Sequence, residues 1–135
     1  MVPLNANELL RQAAERIGLD AFGIAPVQAP AHAADLHEWL AQSFQGAMDW
    51  MARQPHVRAD PQAYDPKARS LLIAGLSSRQ TSPALARGRI AAYAQGTDYH
   101  DVLREKLDAL AKETIQRWGG TFRICVDSSP LLEKP

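Results

Sequence analysis

Hydrophobic side chains recur at helical spacing in two long stretches of the chain. The first stretch predicts a helix that is capped by Asn5 or Asn7 and stops at Gly18. The second predicts the longest helix, which begins near Tyr99 and ends at the two glycines of residues 119–120. The inner faces consist of Leu9, Leu10, Ala13, Ala14 and Ile17 in the first helix and of Leu103, Leu107, Leu110, Thr114 and Trp118 in the second. Each helix therefore needs a partner against which to bury its apolar face.

Three shorter segments have the pattern of strands. Residues 21–25 are apolar and end before Pro26, and residues 71–76 form a continuous apolar run that predicts a buried central strand. Residues 121–127 alternate between polar and apolar side chains, which predicts a final strand. A second helix is predicted after Pro30. Because helices and strands alternate along the chain, the predicted fold class is α+β, in an α/β layered arrangement.

The remaining segments are predicted to be loops, apart from the last one. Prolines 55, 61 and 66 predict a loop over residues 55–66, and residues 77–88 are polar and predict an exposed loop. Residues 128–133 have the pattern of a helix start, with Ser129 as the cap and Pro130 at the first helical position. A helix of that length is not stable alone, so we expect the chain to be a piece of something longer.

The composition excludes several classes of protein. Hydrophobic residues make up 46% and charged residues 22% of the 135 residues, which is typical of one globular domain and not of a disordered chain. Fifteen basic residues balance fifteen acidic ones, so the whole chain has no field that would attract a polyanion. The single cysteine, Cys125, excludes an internal disulfide and an iron–sulfur cluster built from this chain alone. With no apolar run of ~20 residues and no signal-peptide pattern, the expected setting is the cytoplasm, without a membrane partner.

Asp127 is the sharpest candidate for chemistry. It stands at the carboxyl end of the predicted final strand, where layered α/β folds usually place ligands. Alternation places it on the same, polar side of that strand as Arg123 and Cys125. Its side chain could therefore line a cavity, or it could simply cap the following turn. The residue pattern alone leaves both readings open.

Other polar residues give weaker signals. The four histidines lack zinc spacing, so no metal site is predicted, and His100 has either a functional role or a surface capping role at a helix start. Arg58 either forms a local ion pair with Asp60 or presents a guanidinium to an amide or phosphate oxygen. The three tryptophans, at positions 39, 50 and 118, are assigned to the core. No dinucleotide, Walker or hydrolase-elbow motif is present in the sequence.

Five stretches in order carry a likeness to a known family. They are LDAFGIA at 19–25, GAMDWM at 46–51, RADP at 58–61, GRIAAYAQGTDYH at 88–100 and VDSSPLLEK at 126–134. Together they resemble the amino-terminal domain of epoxyqueuosine reductases. Each motif is weak alone, whereas five in the right order and spacing are specific.

The resemblance implies a fold, an activity and a domain organisation. It implies a nitroreductase-like cobalamin-binding domain, with a mixed or antiparallel sheet flanked by helices, over residues 1–135 and incomplete at its carboxyl end. Family members reduce epoxyqueuosine to queuosine in the tRNA anticodon, using cobalamin and two [4Fe–4S] clusters. A ferredoxin-like domain holds the clusters and a helical-repeat domain helps to hold tRNA. We expect both of these domains to be absent from this chain.

The resemblance also assigns roles to residues. It implies that Asp127 is the catalytic proton donor and that Arg58, Tyr93, His100 and Asp127 contact cobalamin. Such a donor needs a raised pKa, which burial beneath the corrin ring could supply.

Two alternatives to a reductase fragment follow from the missing cluster ligands. One is an enzyme of different chemistry, a stand-alone protein that handles cobalamin or is related to reductive dehalogenation. The other is a non-enzymatic subunit or remnant that needs a separate iron–sulfur partner. The chain alone is expected not to reduce epoxyqueuosine and to bind tRNA weakly or not at all. The sequence does not determine the oligomeric state or the electron donor.

Overall fold

The computed structural model describes residues 5–78, 90–127 and 129–132. Over those residues the regular elements are helices α1 (Ala6–Ile17), α2 (Ala33–Ala41), α3 (Pro55–Ala59), α4 (Pro61–Tyr64) and α5 (Tyr99–Trp118), strands β1 (Ala21–Pro26) and β2 (Ser70–Gly75), and 3-10 turns at Asp49–Ala52 and Ala92–Ala94. None of the helices in these ranges has the length and apolar character that a membrane span requires.

The two strands form an antiparallel pair, which confirms the α+β class with an antiparallel sheet. Just before β1, the backbone N–H of Asp20 donates to the carbonyl of Gly75 at 2.9 Å, and the Asp20 carboxylate accepts from the N–H of Ser77 at 2.7 Å. The prediction of a strand near residues 71–76 is confirmed, but its burial is wrong because Ile73 is 58% exposed. A continuous apolar run shows that a strand has side chains it could bury, but it does not show whether another element covers them.

The described parts of residues 1–24 and 72–128 form one compact unit, in which α1 packs on α5. Its core consists of Ala13, Ala14, Leu19 and Leu110, with Ile17, Phe22, Ala74 and Leu103 packed around it. The Asn5 side chain and the Glu8 side chain cap each other's backbone N–H, and Gly18 ends α1 at φ 80°. The boundaries predicted for α1 and α5 are therefore confirmed.

The described parts of residues 25–71 and 129–135 form a second compact unit, which contains α2, α3 and α4. The prediction of a loop over residues 55–66 is wrong. Pro55 and Pro61 each start a short helix, because proline suits the first helical position, where no backbone donor is needed. The Asp60 carboxylate caps α4 by accepting from the Gln62 N–H at 2.9 Å.

Three other predictions fail, and one extends beyond the described residues. Residues 121–126 are irregular and not a strand, because side-chain alternation does not by itself provide a neighbouring backbone ladder. Residues 129–132 are not helical. Trp50 and Trp118 are about half exposed and do not belong to the core. The loop predicted at 77–88 lies outside the described residues from position 79 onward.

Candidate functional site

Asp127 follows the irregular segment after α5 and has an unusual backbone conformation. Its φ is 54°, in the left-handed region that residues other than glycine, asparagine and aspartate seldom adopt. Val126, next to it, is buried, whereas the Asp127 side chain is 63% exposed. The backbone therefore anchors one residue in the core and directs the next one outward.

The start of α5 supplies the partners of Asp127. Asp98 is the N-cap of this helix, and its Oδ1 accepts from the backbone N–H of His100 at 2.9 Å. The same Oδ1 lies 2.8 Å from Nδ1 of the His100 ring. One carboxylate thus fixes both the first turn of the helix and the orientation of the imidazole.

Two side chains of α5 reach the Asp127 carboxylate. The Tyr99 hydroxyl donates to Oδ2 at 2.8 Å, and Nε2 of His100 lies 3.2 Å from the same oxygen. The rings of Tyr99 and His100 are stacked, with centroids 4.1 Å apart. We call Asp98, Tyr99, His100 and Asp127 the Asp127 cluster; it joins adjacent positions in α5 to a residue 27 positions further along the chain.

Hydrogen bonds decide the protonation of the cluster. The hydrogen bond from Tyr99, and after it the one from His100, lowers the pKa of the Asp127 carboxyl. The hydrogen bond from the His100 backbone N–H does most to lower the pKa of Asp98. The side-chain hydrogen bond to Asp98 is the main cause that raises the pKa of the His100 imidazole. The hydrogen bond to Asp127 raises the pKa of the Tyr99 hydroxyl. Without a covering group, the Asp127 carboxyl is therefore held in its ionised form.

The other residues singled out from the sequence have different surroundings. Tyr93 is largely exposed and meets the Tyr99 ring edge to face at 6.0 Å, so it borders the Asp127 cluster. Arg58 belongs to the other compact unit, where its guanidinium lies 5.1 Å from the centre of the Trp50 ring. Its Nε is buried and has no hydrogen-bond partner among the described residues. The structure thus brings Tyr93, His100 and Asp127 together within one unit.

Sequence reasoning missed two members of the cluster. Tyr99 and Asp98 lie in the stretch that resembles the family, but they were not singled out as site residues. The available signal was an aspartate at a helix start followed at once by two side chains able to donate hydrogen bonds. Over the described ranges, no group of three or more His, Cys, Asp or Glu side chains is arranged so that it could hold a metal ion. The arrangement is an exposed carboxylate with two donors, which suits proton transfer to a bound ligand.

Comparison with known proteins identifies the family of the chain. A family model described as "Epoxyqueuosine reductase QueG, DUF1730" matches residues 58–128, more than half of the chain and the whole of the Asp127 cluster. The chain belongs to this family.

Curated relatives match nearly the whole chain. It is 34% identical over 134 residues to the epoxyqueuosine reductase of Aliivibrio fischeri, which covers 90% of the chain and 35% of the relative. It is also 34% identical over 142 residues to that of Xanthomonas campestris, with 98% and 40% covered, and 31% identical over 144 residues to that of Escherichia coli, with 98% and 38% covered. The chain therefore spans about two fifths of the length of these relatives. No solved structure gives a significant match.

Proposed function

We propose that this chain is the cobalamin-binding amino-terminal part of an epoxyqueuosine reductase, and that Asp127 supplies a proton to the departing oxygen. The observation that carries the proposal is the Asp127 carboxylate, which Tyr99 and His100 hold inside the segment that matches the family. The relatives' shared name supplies the reaction class.

The reaction explains why a positioned acid is needed. Conversion of an epoxide to an alkene consumes two electrons and two protons and releases the oxygen as water. An unprotonated oxygen is a poor leaving group, so an acid placed beside it speeds the reaction by ~10² to 10⁴-fold. In this chain Tyr99 and His100 fix the direction of the Asp127 carboxyl, while its left-handed backbone turns the side chain outward.

The residues beside the Asp127 cluster suit a cobalamin. Its corrin ring is a large, mainly apolar plane, and the exposed Tyr93 ring, which borders the cluster, offers that plane an apolar contact. The family resemblance assigns Arg58 to cobalamin as well, and its Nε is buried without a hydrogen-bond partner among the described residues. When bound, cobalamin would supply the reducing chemistry of cobalt. Exclusion of water from the Asp127 cluster would then raise the pKa of Asp127, against the direction set by its hydrogen bonds.

The proposal includes partners that this chain alone does not supply. Cys125 is the single cysteine of the sequence, so electrons from two [4Fe–4S] clusters would come from a ferredoxin-like part or from a separate protein in the cytoplasm. The substrate would be tRNA that carries epoxyqueuosine. Because the chain has no net charge, we expect it to contribute little to tRNA affinity by itself.

Two measurements test the proposal. The first is a titration of the 135-residue chain with cobalamin, followed by the visible absorption of the corrin; saturable binding is expected, and an unchanged spectrum at all concentrations contradicts the cobalamin assignment. The second replaces the matching segment of the Escherichia coli relative with this chain and measures queuosine formed in tRNA. Product from this chimera, and none from the 135-residue chain with the same reductant, is the expected result. Full activity of the 135-residue chain would instead show that no separate cluster domain is needed.

A further inference from the structure

We propose that His100 stores the proton that Asp127 delivers, and that Asp98 holds the imidazole in the orientation that allows the exchange. This inference rests on the proposed role of Asp127 as the acid. It concerns the chain's own side chains, and its main test does not depend on cobalamin or tRNA.

The partners of the two ring nitrogens of His100 show how many hydrogens the ring and Asp127 hold between them. Nδ1 lies 2.8 Å from Oδ1 of Asp98, and an ionised carboxylate only accepts, so Nδ1 carries a hydrogen. Nε2 lies 3.2 Å from Oδ2 of Asp127, and a hydrogen bond between these atoms also needs one hydrogen. The hydrogen resides either on Nε2, as imidazolium facing carboxylate, or on Oδ2, as neutral imidazole facing carboxylic acid.

The surroundings decide between these two forms. His100 is 36% exposed and the Asp127 side chain is mostly exposed, so water stabilises the charged pair, and the hydrogen bond from Tyr99 to Oδ2 favours the same form. The raised pKa of His100 and the lowered pKa of Asp127 agree with this geometry. An apolar ligand over the cluster would disfavour separated charges and favour the neutral pair. The proton then moves from Nε2 to Oδ2: one N–H bond breaks, one O–H bond forms, and nothing else is consumed.

This arrangement suits a reaction that uses two protons at one oxygen. Asp127 gives up one proton to the departing oxygen and becomes a carboxylate again. The neutral imidazole regains a proton from solvent once water reaches the cluster again, since His100 is 36% exposed in the uncovered chain, and the pair can then deliver the next proton. Asp98 stays ionised because it holds two hydrogen bonds from His100, and so it keeps Nε2 directed at Asp127 throughout.

The groups around His100 come from three places in the chain. Asp98 precedes α5, Tyr99 stacks on the ring from α5 itself, and Asp127 approaches from the segment after α5. Tyr93, in the 3-10 turn, contacts Tyr99 and not the imidazole. Over the part of the chain that the structure describes, the charged partners of His100 are thus the two aspartates.

Nitrogen NMR of the 135-residue chain tests the proposal directly. In the unmodified chain at pH 6, below the ordinary histidine pKa of 6.5, both ring nitrogens of His100 should carry hydrogen, because the hydrogen bonds to Asp98 and Asp127 favour the charged ring. Asp127→Asn keeps the shape and tolerates the left-handed backbone, but removes the negative charge; His100 should then lose its Nε2 proton at a pH lower by about one unit, roughly a tenfold change in its protonation equilibrium. The signals of His32 report on the same sample and serve as the internal control.

A second variant separates proton storage from helix capping. Asp98→Asn still caps α5, since asparagine is a good N-cap, but it removes the other charge. Its helix content by circular dichroism should be unchanged while the His100 titration again shifts to lower pH. An unchanged titration in Asp127→Asn, or a His100 ring that carries hydrogen on only one nitrogen at pH 6, would overturn the proposal.

The chimera with the Escherichia coli relative supplies an independent functional result. His100→Gln can still hydrogen-bond Asp127 but cannot pass on a proton, so queuosine formation should slow by at least tenfold and lose the limb of its pH profile that belongs to His100. His32→Gln is the matched control. An inactive parent chimera would count against the proposed function and leave the NMR result standing. An active, Asp127-dependent chimera whose His100→Gln variant is equally fast would reject proton storage alone.

Discussion

Two helices of this protein begin with a histidine–aspartate pair, and the two pairs differ in what the fold adds to them. At the start of α2, His32 Nδ1 lies 2.8 Å from Asp35 Oδ2. At the start of α5, His100 Nδ1 lies 2.8 Å from Asp98 Oδ1, and the side chains of both pairs are similarly exposed. Contact distance and exposure alone therefore do not separate a surface pair from a candidate site.

The difference lies in the second ring nitrogen. His100 has a carboxylate at each end of its ring, and the second one, Asp127, also accepts from Tyr99. The pair at α2 is local, since its residues are three positions apart, whereas Asp127 is 27 positions from His100. A local pair follows from helix geometry, but a three-part chain of carboxylate, imidazole and carboxylate needs a tertiary fold.

The largest effect is expected at Asp127. In the chimera, Asp127→Asn should lower product formation by ~10² to 10⁴-fold, because it removes the transferable proton. Cobalamin binding should remain close to normal, since asparagine tolerates the φ of 54°. Asp35→Asn, which changes the carboxylate of the α2 pair, should have no effect on product. If Asp127→Asn and Asp35→Asn formed product equally fast in single-turnover assays, the contact with Asp127 would give the α5 pair no catalytic role that the α2 pair lacks.

The next effect concerns the packing that holds α5 in place. Leu110 is 2% exposed, so Leu110→Ala should destabilise its unit by ~2–5 kcal/mol through lost burial and a cavity. Ile115, on the same helix, is 40% exposed, and Ile115→Ala should change stability by only about 0.5 kcal/mol. Urea denaturation measures both. Similar losses would mean that the core is not centred where α1 meets α5.

A smaller effect is expected from the tyrosine that distinguishes the α5 pair. Tyr99→Phe removes the hydroxyl that does most to lower the pKa of Asp127, so this pKa should rise toward its ordinary value. Carbon NMR of the Asp127 carboxyl over a pH titration measures the change. Tyr93→Phe is the control, because Tyr93 contacts the Tyr99 ring and not the carboxylate. A larger shift of the Asp127 pKa in Tyr93→Phe than in Tyr99→Phe would mean that the Tyr99 hydroxyl is not the main cause of the lowered pKa.

The smallest effect is the dependence of stability on pH, because the groups are exposed. The folded pKa of His100 is raised, so its contribution is present below the unfolded value of 6.5 and is lost as pH rises through the folded value. Asp98 and Asp127 have lowered pKa values in the folded chain. Their contribution to stability is therefore present above the unfolded value of 3.8 and is lost as pH falls through the pKa values of the folded chain. His100→Gln should flatten the upper limb of melting temperature against pH. If His32→Gln flattens it equally, the cluster is not the source.

Local patterns were enough for the elements whose signals are local. The Asn5 cap and the Gly18 stop mark α1, apolar spacing marks α5, and short apolar runs mark β1 and β2. Helix ends follow from capping hydrogen bonds within a few residues, so the sequence contains that information. The same logic applies to residues 55–66, where Pro55 and Pro61 start short helices and do not mark a loop.

Burial and strand pairing depended on remote neighbours. Residues 121–126 alternate like a strand and are irregular, and Ile73 lies in an apolar run and is mostly exposed. Trp118 continues the apolar face of α5 by spacing, yet it is about half exposed. Periodicity defines a face of an element, whereas the rest of the fold decides whether another element covers that face.

The candidate site shows the same division between sequence and tertiary structure. The motif from residue 88 to 100 and the aspartate at 127 are recognisable in the sequence, and the resemblance led to the family to which the chain belongs. That Asp98 orients the imidazole follows from their places in the first turn of α5. That Tyr99 and His100 share one oxygen of Asp127, and that this carboxyl is consequently held ionised, was decided by the tertiary structure. Hydrogen bonds depend on distances of about 3 Å between atoms, and only the folded chain sets such distances between residues that are far apart in the sequence.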